Sequence, residues 1–466
     1  AGMGAEVWVD KIHTSMPGLA SHIILCSETQ ERFMWVCHPE VTPTIISHYN
    51  KKFDLPNVSM LAQAKVVGKI IKDPHYTVYA NNKKIVDGPI EKINEGFVYK
   101  RPTKKTNIVE NDESLPEIKD YNTTIKDLLK NENIACRAPV YECYDKNVQG
   151  RTVLERGSSE AGVVSPFNNS FPKEIRGVGF SAAIAHNPKI GKIDSYLTAQ
   201  HAVLEAAAKV VSSGGVPVAL TDCLCFGNPE KPDQMWQFAE SCRGIKETCA
   251  DLRFETNTNL PIVAGNVSFY NQSGDRAVPS SPMIGCFGKN LDIKKAVQNS
   301  LQKSGSTLFL LGGFGENIGG SIVAELLKSN NNVVQKFSVK KYSKMLNVLI
   351  ELIDKQLVLS SRVVARGGLG TALCLMSFKN EIGVVSKIPD ERLSNKLFSE
   401  NLGLIIETSK KNRGLIQKTV ERKNVPCDII GETVKEKTIT INKKINLNIK
   451  EVKSGWQSSL RKKLLS

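Results

Sequence analysis

Apolar and polar positions change period several times along this 466-residue chain. Val216 to Leu220 is a short continuous apolar run, which predicts a buried strand delivering Thr221 and Asp222 at its carboxyl end. Gly227, Asn228, Pro229 and Pro232 follow, too rich in turn residues to continue strand or helix. Met235, Phe238, Ala239, Cys242, Ile245 and Cys249 then recur at helical spacing. A second apolar run, Leu260 to Ala264, leads into Gly265, Asn266, Val267 and Ser268. The two strands are expected to present an acid and an Asn/Ser pair on bordering loops, where open α/β sheets bind ligands. Upstream, Ala199, Val203, Ala206, Ala207, Val210 and Val211 make an apolar helix face, and Ser212 to Gly215 end it with glycine available for a left-handed cap. Further on, LFLLGG (Leu308 to Gly313), ENIGGS and IVAELL predict strand, glycine loop and helix. Free N–H groups at such a helix start attract anions. The string has neither Walker nor GxGxxG spacing, and a structural turn accounts for it equally well.

The pattern also repeats. MGAEVWVDKI (Met3 to Ile12) leads to LCSET (Leu25 to Thr29), and IGVVSKI (Ile382 to Ile388) leads to LFSEN (Leu397 to Asn401). Each copy predicts an apolar strand next, over Phe33 to Val36 and Leu404 to Ile406, then a helix-like stretch and a segment ending in glycine, Gly68 and Gly431. Self-similarity of this kind indicates a duplicated domain. Residues 305–380 precede the second copy, and nothing equivalent precedes the first, so the chain is expected to lack the front of its first repeat.

Composition narrows the class. The length suggests two to four domains, and 41% hydrophobic with 23% charged residues is ordinary for a globular protein. No apolar run approaches the roughly 20 residues that span a bilayer, and the start lacks the pattern of a signal peptide. Eleven cysteines without CxxC pairs suggest reduced thiols in a cytoplasmic protein. Cys223 and Cys225 form a CxC, a poor metal signature, and packing is the expected role. A formal charge of +15 raises nucleic-acid binding. The lysines are dispersed, however, with no aromatic-and-basic alternation and no helix-turn-helix or finger spacing, so no nucleic-acid partner is expected.

The strings TDCLCFGNPEKPDQMWQF (Thr221 to Phe238) and GNVSFYN (Gly265 to Asn271) are long and specific. Together with YDKNVQGRTVLERGSSEAGVV (Tyr144 to Val164) and LCSETQER (Leu25 to Arg32), they closely resemble phosphoribosylformylglycinamidine synthase, catalytic (synthetase) subunit. The resemblance implies an α/β (α+β) fold of duplicated aminoimidazole-ribonucleotide-synthetase-like A/B domains. Residues 1–98 resemble the back of a first B domain, 99–130 a polar linker, 131–289 a second, ATP-binding A domain, and 303–466 a second B domain. The first A domain, with the family's histidine-bearing segment, has no counterpart.

The implied reaction converts an amide oxygen of formylglycinamide ribonucleotide into an amidine nitrogen, in de novo purine biosynthesis. ATP phosphorylates the oxygen and glutamine-derived ammonia displaces phosphate, with positioning and charge neutralisation as the main catalytic resources. By resemblance Asp222 and Gly265 match ATP-binding positions, Asn266 a magnesium position, and Ser268 a substrate position. Glu28, Thr29 and Gln30 match a Glu-Ser-Gln substrate triplet, with Thr replacing Ser. Asp222 and Asn266 both carry oxygens suited to Mg2+ and are expected to approach each other. The second copy reads Glu400, Asn401, Leu402, which loses the amide and argues against a second substrate pocket. In SRVVARGGLG (Ser361 to Gly370), Arg362 and Val363 stand where the family has His and Asp, which counts against an auxiliary nucleotide site. No glutaminase segment is visible, so a separate glutaminase subunit and a small bridging subunit are implied partners. Another synthetase of the same superfamily, with a single A-plus-B unit, is argued against by the two B-like repeats flanking one A domain; the alternative left open is a truncated non-catalytic nucleotide-binding fragment or half of a split enzyme.

Overall fold

The computed structural model describes residues 2–28, 32–95, 99–106, 108–167, 169–254 and 258–465. It falls into two compact units, Ala1–Lys100 and Arg101–Ser466.

The first unit is built on four strands: β1 (Gly4–Trp8), β2 (Gly68–Ile71), β3 (His75–Ala80) and β4 (Lys83–Pro89), in the order β2-β1-β3-β4. β1 runs parallel to β3 and antiparallel to β2. Its buried core is small, with Val9, Val78 and Ala80 at the centre.

The second unit holds two larger sheets. Strands β5 (Gly162–Val164), β6 (Gly179–Ala185), β7 (Val216–Cys225) and β8 (Ile262–Ser268) are followed by a two-stranded ribbon, β9 (Gln272–Ser273) with β10 (Arg276–Ala277), and then by β11 (Ser281–Asn290). The sheet order is β5-β6-β11-β7-β8, with β7 and β8 parallel and the other pairs antiparallel. One face packs on the helices Ser195–Ser212 and Pro232–Asp251. Ala183, Ala185, Leu220, Leu224, Ile284 and Cys286 from the strands meet Ala199, Val203, Ala206 and Val210 there. Asp194 caps the first helix by accepting from Leu197 N–H at 2.7 Å, and Gly214 leaves it at φ +87°.

The remaining strands are β12 (Ser306–Leu311), β13 (Ser360–Val363), β14 (Gly383–Ser386), β15 (Leu404–Ser409), β16 (Cys427–Val434), β17 (Thr438–Ile441) and β18 (Ile445–Asn448). They form a sheet in the order β13-β15-β12-β16-β14-β17-β18. Its β16-β14-β17-β18 half reproduces the first unit's sheet in order and sense, and in register across the first two pairs. Val7 opposite Gly68 corresponds to Ser386 opposite Gly431, and Ala5 opposite Tyr76 to Val384 opposite Ile439. Gly4 and Gly383 hold the same place for the same reason. A Cβ on Gly4 would lie 2.1 Å from the carbonyl oxygens of Asp73 and His75, and one on Gly383 would lie 1.9 Å from that of Glu436.

Two expectations need correction. Phe33 to Val36 belongs to no strand, and its side chains are 61–85% exposed. Its counterpart in the repeat, β15, is buried because β12 and β13 flank it. Among the described residues of the first unit no such flanking strands occur, and an apolar segment without neighbours has nothing to pair with. The polar linker also ends earlier than residue 130. Tyr121–Lys130 is an amphipathic helix capped by Asp120, and Ile125, Leu128 and Leu129 are buried against Leu308, Leu369 and Leu373. Ile134 and Cys136 likewise bond to Trp456 in the C-terminal helix, so the A-like sheet proper starts at β5. The stretch before Tyr121 has no regular structure and is pinned by side chains: Asn332 bonds Asn111 N–H and Val109 C=O, at 2.7 and 2.9 Å. Among the described residues no helix is long and apolar enough to cross a membrane.

Candidate functional site

β7 does not stop at Leu220. Thr221 to Cys225 continue the ladder, because Thr and Cys fit a pleated strand and both neighbours, β8 and β11, supply partners. Asp222 therefore sits mid-strand, as do Gly265 and Asn266. The loop placement expected for them is replaced by a register: Asp222 opposite Gly265, Cys223 opposite Asn266, Cys225 opposite Ser268.

That register decides which way each side chain faces, since successive residues alternate between faces. Asp222 shares its face with Leu220, Leu224 and Ile284, toward the helix layer. Its charge is felt there by Cys242 and Cys249 of the Pro232–Asp251 helix. Burial pushes the Asp222 carboxyl up, and a hydrogen bond from the Asn266 backbone N–H partly offsets this. Gly265 makes that bond possible: a Cβ there would lie 2.5 Å from Asp222 Oδ1.

The Asn266 carboxamide faces the other way. Its Nδ2 lies 4.0 Å from Cys223 Sγ, on the face that carries Cys225 and Ser268. Asp222 and Asn266 thus meet through the Asn266 main chain only, and their side chains cannot grip one ion together. Ser268 Oγ is held by Asn271, which donates from Nδ2 to Ser268 Oγ at 3.1 Å, to Ser268 C=O at 2.7 Å and to Phe226 C=O at 3.1 Å. Asn271 closes the GNVSFYN string, and its organising role was readable only from its place at the end of that motif.

This second face of the A-like sheet is apolar and open. Val164, Phe180, Ile184 and Met283 are 37–64% exposed, and Phe180 stacks on Phe287 at 5.5 Å. β8 lies at the sheet edge, with Ile262 to Val267 exposed. The oxygens offered there, from Asn266 and Ser268, are neutral. Mg2+ commonly keeps several waters and takes only one or two protein ligands beside phosphate. Asn266 fits one such place, while any carboxylate ligand on this face must come from elsewhere. Among the described residues no group of three or more His, Cys, Asp or Glu is arranged to hold a metal.

Of the expected substrate triplet, Glu28 is exposed just after the helix Ser21–Cys26, and Thr29 and Gln30 lie outside the described residues. Glu400, Asn401 and Leu402 are used internally. Glu400 Oε1 accepts from Ile322 N–H and Gly367 N–H, both at 2.9 Å, and Asn401 donates to Gly313 C=O. The start of the IVAELL helix is thereby occupied by the protein's own carboxyl group rather than left for a phosphate.

A buried charge cluster, absent from the sequence reading, surrounds Glu400. Arg366 reaches Glu205 at 3.3 Å and Glu400 at 3.5 Å, and donates to His186 C=O at 2.6 Å. Lys209 lies 2.8 Å from Glu205. Despite burial, Arg366 and Lys209 hold the Glu205 carboxyl down to about 2, whereas burial outweighs Arg366 at Glu400 and pushes it up. Burial also lowers His201 to about 4, with its Nε2 2.7 Å from Gln335 C=O. Arg362, at the departed His position, pairs with Glu160 at 3.6 Å.

Comparison with known proteins agrees with this layout. Residues 175–289 match the AIR synthase related protein, N-terminal domain, and residues 303–444 match its C-terminal domain. Phosphoribosylformylglycinamidine synthase subunit PurL of Methanothrix thermoacetophila is 33% identical over 99% of this chain and 60% of the relative. The same subunit of Limosilactobacillus fermentum is 27% identical over 98% and 59%. The chain thus spans about 60% of the length of these curated relatives. Solved structures titled T. maritima PurL complexed with ATP and with FGAR superpose with TM-scores of 0.58 and 0.60, at 17% and 18% identity. They cover 93% of this chain and 60% and 58% of theirs, a likeness of fold. Through these two domains the chain belongs to the AIR synthase related family, and it is similar along nearly its whole length to curated phosphoribosylformylglycinamidine synthase subunits.

Proposed function

We propose that this chain supplies the nucleotide-binding half of an ATP-dependent ligase that converts formylglycinamide ribonucleotide to its amidine with glutamine-derived ammonia, in cytoplasmic purine biosynthesis. The observation that carries this reading is the β7–β8 junction, where the family strings bring Asp222, Gly265, Asn266 and Ser268 into one register. Residues 1–98 act as the back of a first B-type domain, and residues 131–289 and 303–466 as the second A and B domains. The connector is shortened to residues 99–120, given the helix at Tyr121–Lys130.

In this reading Asn266 Oδ1 holds one magnesium position on the open face, and magnesium neutralises phosphate charge as the phosphoryl group moves. Ser268, fixed by Asn271, is a substrate-binding residue, and so, by the family triplet, are Glu28, Thr29 and Gln30. Asp222, which faces the helices, acts on the nucleotide with Gly265 through the main chain of the junction, where its carboxylate holds Asn266 N–H. The site is incomplete within one A-type sheet. The open apolar face and the neutral donor set both call for a facing A-type sheet that brings carboxylates, and ammonia calls for a glutaminase subunit with a small bridging subunit. The chain alone is therefore expected not to turn over even with free ammonia, since misplacement of reacting groups by about 1 Å costs on the order of 100-fold.

Calorimetric titration of the full chain with Mg-ATP tests the first part. Asn266→Ala should weaken binding roughly tenfold, about 1.4 kcal/mol, while Asn401→Ala, whose amide is spent on Gly313 C=O in the other sheet, should not. Equal affinities in wild type and Asn266→Ala would remove the metal assignment. Robust amidine formation by the chain alone would remove the requirement for a facing domain.

A further inference from the structure

Cys223 and Cys225 were expected to pack, yet neither is buried. They are two apart on β7, so both side chains project from the open face of the sheet, and their sulfurs lie 4.0 Å apart. Among the described residues this is the one thiol–thiol contact. Cys26, Cys37 and Cys143 are more exposed, but each offers a single sulfur, and Cys136, Cys249, Cys286 and Cys374 are buried.

The spacing has a chemical meaning. A single bridging atom with bonds of about 2.3 Å to each sulfur spans an S···S distance of roughly 3.5–4 Å. The pair is thus already set for a one-atom bridge without movement of the strand, whose hydrogen bonds to β8 and β11 hold both residues in place. Thiolate sulfur is a soft ligand and selects soft partners over Mg2+. Two sulfurs with no third Cys, His or carboxylate nearby suit a centre that is satisfied by two protein ligands rather than tetrahedral zinc.

We propose that Cys223 and Cys225 form a chelating dithiol site for trivalent arsenicals. The reaction balances without an oxidant: two S–H bonds and the arsenic–oxo bond break, two As–S bonds form, and the oxygen leaves as water with both protons. Because the bridge closes a ring, it resists exchange with monothiols but yields to a competing dithiol. The inference rests on the two sulfurs and does not depend on the nucleotide assignment.

The test uses phenylarsine oxide on the reduced full chain, followed by excess monothiol and intact-mass measurement. One adduct should survive, fragment-ion mapping should place it on Cys223 and Cys225, and a small dithiol should remove it. Cys223→Ser and Cys225→Ser should each lose the surviving adduct, and Cys143→Ser should keep it. No surviving adduct on the wild-type chain, or one mapped to other cysteines, would overturn the proposal. The mapping needs no variant, so misfolding of a substituted chain cannot mask the answer.

Discussion

Replacing Arg366 by methionine should destabilise the Arg101–Ser466 unit by about 2–4 kcal/mol. The side chain keeps an unbranched apolar stem and loses the guanidinium head, leaving Glu205 buried with Lys209 as its remaining counter-ion. Two routes give the magnitude. Breaking a buried ion pair by removing one partner costs about 3–5 kcal/mol. Independently, Glu205 is held at about 2 against an ordinary 4.5, which corresponds to a stabilisation on the order of 3 kcal/mol. The Arg366 charge is the largest single attractive cause, and Lys209 adds both charge and a hydrogen bond, so part of that is lost with Arg366. The orphaned His186 carbonyl adds a little, as would any unmade hydrogen bond.

The sign of the pH dependence follows from the depressed pKa. Glu205 contributes its stabilisation in full above pH 4.5 and loses it as pH falls through about 2. Urea unfolding of the full chain at pH 7, followed by circular dichroism, should therefore show the whole difference between wild type and Arg366→Met. Glu205→Gln in the Arg366→Met background should recover part of it, because the stranded charge is gone. An Arg366→Met chain within about 0.5 kcal/mol of wild type, the range of neutral surface changes, would refute the view that this cluster ties the A-like layer to the glycine turn at Gly367.

Three further outcomes are expected. Gly265→Ala should drive the Asp222 carboxylate off Asn266 N–H and weaken Mg-ATP binding by about tenfold, 1.4 kcal/mol, in a calorimetric titration; unchanged affinity would show that the close approach at 2.5 Å has no functional consequence. His201, buried and lowered to about 4, takes up its proton later in the folded chain than in the unfolded one, so stability should fall by about 3 kcal/mol as pH drops from about 6.5 to about 4. His201→Gln should flatten that slope in urea titrations at stepped pH. Ile184→Asp, on the open face, should cost less than about 0.5 kcal/mol, whereas Ile284→Asp, facing the helices, should prevent folding because it buries an unpaired charge; equal effects on solubility and melting would contradict the assignment of faces.

The contrast between Ile184 and Ile284 shows where the sequence stopped being legible. Apolar runs located β7, β8 and β12, and helical spacing located Ser195–Ser212 and Pro232–Asp251, since both signals are local. The duplication was legible too, because MGAEVWVDKI and IGVVSKI, with the later glycines Gly68 and Gly431, recur in the same order. What the pattern could not carry was parity. Thr221 and Asp222 looked like the end of a strand, but the ladder extends to Cys225, and each added strand residue alternates the face. One consequence is that Asp222 and Asn266, adjacent in motif logic, point to opposite sides of the sheet. Nor could spacing reveal Arg366 with Glu205 and Glu400, because these three meet only when a helix of the A-like layer, a glycine turn and the end of a short helix are folded together. Phe33 to Val36 makes the same point from the other direction. Its apolar character is that of a strand, and its repeat partner β15 is one, but strand formation is a property of the pair and its neighbours rather than of the segment. Elements that depend on local pattern were therefore readable in this chain, and anything that depends on which face a residue shares, and with whom, required the fold.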